Sequence, residues 1–163
     1  MIKNMLLLLV LFFCQGIAAK NYSLTASDSE PNLELSFKLT DEGKRIGVYY
    51  LLIYCDTNAA DTLFIDNAKM TYLYLNYNHH YTLRYVKPGY RDRVLIVRTD
   101  VTSMTHFKNA EFDYQIELVK ENEAANTFAD LPVAIIRYDI SKKKFDYSRK
   151  YHRQVRQKNS SYS

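Results

Sequence analysis

The chain has 163 residues, a formal net charge of +4, 14% aromatic residues, and only four glycines and three prolines. That length suits about one ordinary domain, and so little glycine and proline excludes a long flexible linker, as the lack of any 20-to-50-residue period excludes a solenoid. Of its two cysteines, Cys14 lies in an N-terminal apolar run, so Cys55 has no partner for an internal disulfide and stability must come from packing.

Taken in chain order, residues 1–19 read as a secretory signal peptide: Lys3 first, then the apolar run Met5 to Cys14, then Gly16-Ile17-Ala18-Ala19. A membrane-spanning helix needs about 20 apolar residues, more than this run supplies. Cleavage is expected after Ala19, leaving an exported protein in the periplasm or outside the cell. Cys14 as the lipid-modified first residue of a lipoprotein is the less favoured alternative, because Phe12 and Phe13 precede it where a small residue is preferred.

Strands are expected next. Leu33-Leu35-Phe37-Leu39 alternates with Glu34, Ser36 and Lys38, a period of two that marks a strand with one wet face. Ile46 to Cys55 is apolar on both faces and reads as a central strand in which Cys55 is a small buried hydrophobe. Leu63–Ile65, Met70–Tyr77, Tyr81–Tyr85, Val94–Val97, Phe112–Leu118 and Val133–Ile136 follow, about eight short strands in all. Turn chemistry separates them at Asp41-Glu42-Gly43, Asp56-Thr57-Asn58, Asn76-Tyr77-Asn78, Pro88-Gly89 and Lys120 to Asn126. With no amphipathic helix of 10 to 15 residues between strands, the fold class expected is all-β, an antiparallel sandwich of seven to eight strands spanning residues 20–140.

Residues 141–163 are expected to form a basic tail, partly disordered, in which Tyr147, Tyr151 and Val155 recur at helical spacing. Residues 20–136 carry 12 Lys/Arg against 16 Asp/Glu, a net of −4, while residues 137–163 carry 9 against 2, a net of +7. A tail of this kind suits docking on an anionic surface or simply solvates the chain end. Nucleic acid is not expected as the partner of an exported protein.

The most distinctive stretch is Tyr72 to Val101: Leu73 and Leu75, the polar turn Asn76 to His80, Tyr81-Thr82-Leu83, the corner Lys87-Pro88-Gly89-Tyr90, then Val94 to Val97 with Thr99. It resembles the second half of a carboxypeptidase-regulatory-like domain, as found in Bacteroidetes-type envelope proteins, and that resemblance implies a transthyretin-like sandwich. In the first half the family's Gly-rich turn is reduced to Asp61-Thr62 and Asp66-Asn67-Ala68. Independently of any family, Pro88 and Gly89 suit the two central positions of a type II turn, the second of which needs φ > 0. Tyr90 is expected to cover the end of the core with its hydroxyl on a backbone carbonyl, and Lys87 to be solvated.

No Gly-x-Ser-x-Gly, His-Glu-x-x-His or phosphate-loop signature occurs. Adjacent His79 and His80 point to opposite faces of a strand and do not chelate one ion together. No enzyme, metal or cofactor is therefore expected. The functional expectation is a non-catalytic envelope protein whose sandwich binds a protein partner. The alternative is a carbohydrate-binding module that stacks sugars on Tyr72, Tyr74, Tyr81 and Tyr85, with Tyr77 beside them.

Overall fold

Alternation of buried and exposed side chains runs through nearly every segment of the computed structural model, which describes residues 20–23, 32–66, 69–101, 110–122, 131–151 and 153–154. The described residues form eleven strands: β1 (Lys20–Ser23), β2 (Asn32–Asp41), β3 (Lys44–Arg45), β4 (Val48–Cys55), β5 (Asn58–Asp66), β6 (Thr71–Asn76), β7 (His80–Val86), β8 (Arg93–Arg98), β9 (Ala110–Glu117), β10 (Ala134–Asp139) and β11 (Lys144–Tyr147). The export signal at 1–19, His106, His152 and the tail beyond residue 154 lie outside the described residues.

Two sheets pack face to face. One runs β1-β6-β2, with β9 on the opposite edge of β2 and the short β3 folded back on it; the other runs β11-β10-β8-β7-β4-β5. Leu33, Leu35, Phe37 and Leu39 of β2, Leu73 and Leu75 of β6, and Ile116 of β9 face Leu51 and Ile53 of β4, Leu83 and Tyr85 of β7, Leu95 and Val97 of β8, and Ile136 of β10. Each such side chain contributes roughly 1.5–3 kcal/mol when fully withdrawn from water. At the centre Tyr85 meets the Phe37 ring edge-on, with centroids 5.3 Å apart.

The all-β sandwich is as expected, with four differences of detail. Three strand pairs are parallel, β1 with β6, β2 with β9 and β8 with β10. A period of two is the same in either direction, so the pattern of side chains could not distinguish them. The strand expected at Leu63–Ile65 extends over the nine residues of β5, and β1, β3 and β11 were not expected at all. In β4 only one face is buried, since Val48 and Tyr50 remain 44% and 45% exposed.

The fourth difference corrects the expected start of the tail at residue 141. That boundary falls inside the β10–β11 hairpin, where Asp139 accepts hydrogen bonds from Ser141 and Lys142 and Phe145 enters the core. Tyr147 lies in β11 against Phe112 and Tyr114, so the helical spacing of tyrosines does not begin there. A helical turn occupies 149–151 and 153–154, and the Tyr151 hydroxyl donates to the Pro132 carbonyl.

Candidate functional site

The outer faces of the two sheets differ sharply in chemistry. On the five-stranded sheet, outward positions carry Glu34, Lys38, Glu111 and Gln115 beside Tyr72 and Tyr74 of β6, and polar pairs tie β2 to β9: Ser36 donates to Asp113 and Thr40 to Glu117. On the six-stranded sheet the outward cross-strand neighbours are Phe64, Tyr50 and Val86 in one row, Leu52, Arg84 and Val94 in the next, and Tyr54, Thr82, Ile96 and Ile135 in a third. Phe64 is 52% exposed and its ring lies 5.2 Å from that of Tyr50. Arg84, held by Asp92 through a 2.6 Å hydrogen bond from Nε, is the single cation in the middle of these three rows.

A groove of about 710 Å³ opens on this face. Tyr54, Thr82, Arg84, Asp92 and Val94 line it together with Tyr90. Tyr90 belongs to the predicted corner. Tyr90 N–H donates to the Lys87 carbonyl at 3.0 Å and Gly89 has φ +81°, the signature of the expected type II turn. A side chain is strained at that φ even though space is open around Gly89, so Gly89→Ala is expected to cost about 1 kcal/mol in denaturant unfolding.

Two expectations at this corner are corrected. The Tyr90 hydroxyl donates to the Asp41 carboxylate at 2.7 Å, not to a carbonyl, and Lys120 Nζ lies 3.4 Å from the same carboxylate. Lys87 is not merely solvated: its Nζ donates to the Val48 carbonyl at 3.1 Å and lies 5.8 Å from the centre of the Tyr90 ring. The Tyr90 hydrogen bond, helped by Lys120, holds the Asp41 carboxyl below its ordinary value of 3.8. A depressed carboxyl stabilises the fold above the ordinary value and loses that contribution as pH falls through the folded one. Tyr90→Phe is therefore expected to lower stability at neutral pH, with the difference from the parent shrinking as Asp41 protonates; urea titrations at several pH values would show it.

The four tyrosines expected to form a sugar platform do not come together. Tyr72 and Tyr74 lie half-buried on the outward side of β6, while Tyr81 and Tyr85 of β7 are buried between the sheets. Tyr77 is also buried, stacked on Phe145 with centroids 6.2 Å apart. Alternation on a strand identifies which residues share a face, but the opposite sheet alone decides which face is covered. The tyrosines that do reach solvent on the apolar face are Tyr50 and Tyr54, within the Ile46–Cys55 run that reads as a central strand apolar on both faces.

A second cluster was missed because its members are distant in sequence. Cys55 ends β4, Asp56 opens the next turn with φ +56°, and His79 precedes β7. Their donor atoms all lie within 4.8 Å of one another, with His79 Nδ1 3.0 Å and Cys55 Sγ 3.8 Å from Asp56 Oδ2. These three are the residues among those described that could hold a metal ion. The hydrogen bond from His79, followed by that from the His80 backbone, keeps the Asp56 carboxyl below the usual aspartate value. Burial and the neighbouring Asp56 charge push the Cys55 thiol up. His80 turns away, its Nε2 3.6 Å from Asp100.

A scan against protein-family models and a search of curated proteins both return no match. Among solved structures the chain is similar to 3-chlorocatechol 1,2-dioxygenase from Rhodococcus opacus 1CP, at 13% identity and a TM-score of 0.43 over 67% of this chain and 69% of that one. It is also similar to catechol 1,2-dioxygenase from Acinetobacter sp. ADP1, at 9% identity and a TM-score of 0.42 over 63% of this chain and 59% of that one. Because these neighbours are enzymes, the expectation that the chain is not one does not stand; at such identities and TM-scores the likeness assigns neither a fold family nor a reaction to this chain.

Proposed function

We propose that this chain is an exported envelope protein whose sandwich binds a protein partner across the apolar outer face and the β5 edge of the six-stranded sheet. The observation that carries the reading is the solvent-facing patch of Val48, Tyr50 and Phe64, each at least 44% exposed. A contiguous apolar patch of this kind marks interaction surfaces, and aromatic residues with arginine are the side chains that dominate them. Strand β5 is nine residues long, contains no proline and pairs on one side only among the described residues. Such an edge accepts a further strand through its main chain.

The partner chemistry that fits is an extended segment with apolar side chains two residues apart, one row to meet Tyr50 and Phe64. The apolar N-terminal segment supports export, the basic C-terminal residues support contact with an anionic surface, and the resemblance to a carboxypeptidase-regulatory-like domain supports a module of this class. A photo-reactive residue at Thr62 is expected to give one reproducible protein adduct in the native host, lost on Phe64→Asp, whereas a probe at Lys38 on the opposite sheet gives none. An adduct with a second copy of this chain, or none at Thr62, overturns the reading. A product whose first residue is Lys20 would support export separately.

A further inference from the structure

At the end of the sandwich where β4 stops and β7 begins, three donors of different chemistry converge: a thiol, a carboxylate oxygen and an imidazole nitrogen. We propose that Cys55, Asp56 and His79 bind one divalent transition-metal ion of the zinc class, leaving a fourth tetrahedral position to water. Around a tetrahedral zinc with bonds of about 2.0–2.3 Å, donor atoms stand about 3.3–3.6 Å apart. The two separations to Asp56 Oδ2, 3.0 Å and 3.8 Å, lie within a few tenths of an ångström of that range, and all three donor atoms lie within 4.8 Å of one another.

The donor set selects the metal. Thiolate and imidazole favour zinc, copper or cobalt, whereas calcium and magnesium take oxygen ligands almost exclusively. A single carboxylate with no second acid in the cluster cannot offer the six to eight oxygens that calcium needs. Three protein ligands are also the number found where zinc keeps one exchangeable position. His79 and Asp56 have side chains 39% and 53% exposed, so an ion and its water can reach the site from solvent.

The neighbourhood holds the donors in place before any ion arrives. Asp56 Oδ1 accepts the His80 backbone N–H at 3.0 Å, which turns Oδ2 toward His79 and Cys55. Asp56 N–H donates to the His80 carbonyl at 2.7 Å, locking the two turns together. The His79 backbone is anchored to the buried Thr99, whose hydroxyl oxygen receives its N–H at 3.1 Å. Tyr81, paired across the strands with Cys55, fixes its hydroxyl oxygen on the Asn76 N–H at 3.1 Å. Outer contacts of this kind orient metal ligands and tune affinity.

The test is titration of the full chain, stripped of metal and kept reduced, with Co²⁺ and then Zn²⁺. One equivalent of Co²⁺ is expected to bind and to show a thiolate-to-cobalt charge-transfer band, which Zn²⁺ then bleaches. Cys55→Ser should abolish the band, and both Cys55→Ser and His79→Ala should weaken binding by more than about tenfold. Asp66→Asn, outside the cluster, should leave binding unchanged, and circular dichroism confirms that each variant is folded. Absence of saturable binding to folded protein, a bound ion with no thiolate band, or binding indifferent to Cys55→Ser would each overturn the proposal. None of these outcomes bears on the partner surface, which is formed by other residues.

Discussion

Tyr85→Ala is expected to remove about 3–5 kcal/mol of folding stability, the largest single effect in the molecule. Tyr85 is fully buried, and its ring meets Phe37 edge-on and lies 6.4 Å from Tyr49, so truncation would leave a cavity between the two sheets. Its hydroxyl has no hydrogen-bond partner among the described residues, and burial pushes its ionisation well above the ordinary tyrosine value. A buried polar group without a partner costs about 1–3 kcal/mol. Tyr85→Phe keeps the ring and deletes that group, so it should stabilise the protein by about 1 kcal/mol. Urea denaturation of the two variants separates the terms. A destabilised Tyr85→Phe would mean that the hydroxyl is satisfied in solution.

Thr99→Val should cost about 2–4 kcal/mol despite preserving side-chain volume. Thr99 is completely buried, and its hydroxyl donates toward the Asn76 and His79 carbonyls, at 2.7 Å and 3.0 Å, while accepting the His79 N–H. Removing the hydroxyl deprives the Asn76 carbonyl and the His79 N–H of this partner, while the His79 carbonyl keeps the Thr99 backbone N–H at 3.0 Å. Thr99→Ser keeps the hydroxyl and should recover most of the loss, lacking only a methyl group. Equal destabilisation by Val and Ser would assign the effect to packing instead. Because the same turn carries His79, amide hydrogen exchange of residues 76–80 should quicken in Thr99→Val and stay near the parent rate in Thr99→Ser.

Much of the sandwich was legible in the sequence. The alternation through Leu33, Leu35, Phe37 and Leu39 describes β2 as it stands, and the Asp41-Glu42-Gly43 turn appears as a hairpin whose two central residues have φ +48° and +76°. Pro88-Gly89 likewise forms the turn its residue types demand. The missed strands are short or polar: β3 is Lys44-Arg45 and β11 contains a single core residue, Phe145. Segments that carry so little apolar signal are ordered by the strands they pair with, and propensity alone does not reveal them.

The candidate sites follow the same division. The corner Lys87 to Tyr90 was visible because its backbone requirements are local. Its Asp41 and Lys120 partners were not, since each lies about 30 or more residues away along the chain. The Cys55, Asp56 and His79 cluster joins two turns separated by more than 20 residues, and the adjacent pair His79-His80 carries no local signal of it.

By itself the sequence determined the all-β class, the principal strands, the glycine-dependent corner and the side of β2 that is buried, because turn dihedrals and the period of two are local properties of the chain. Strand direction, the split of Tyr72 and Tyr74 from Tyr81 and Tyr85, the exposure of the apolar outer face around Tyr50 and Phe64, and the meeting of three metal-ligating side chains were decided by tertiary structure alone. Each depends on which sheet covers which face and which turns share an end of the sandwich, and those are long-range outcomes of packing that no local pattern encodes.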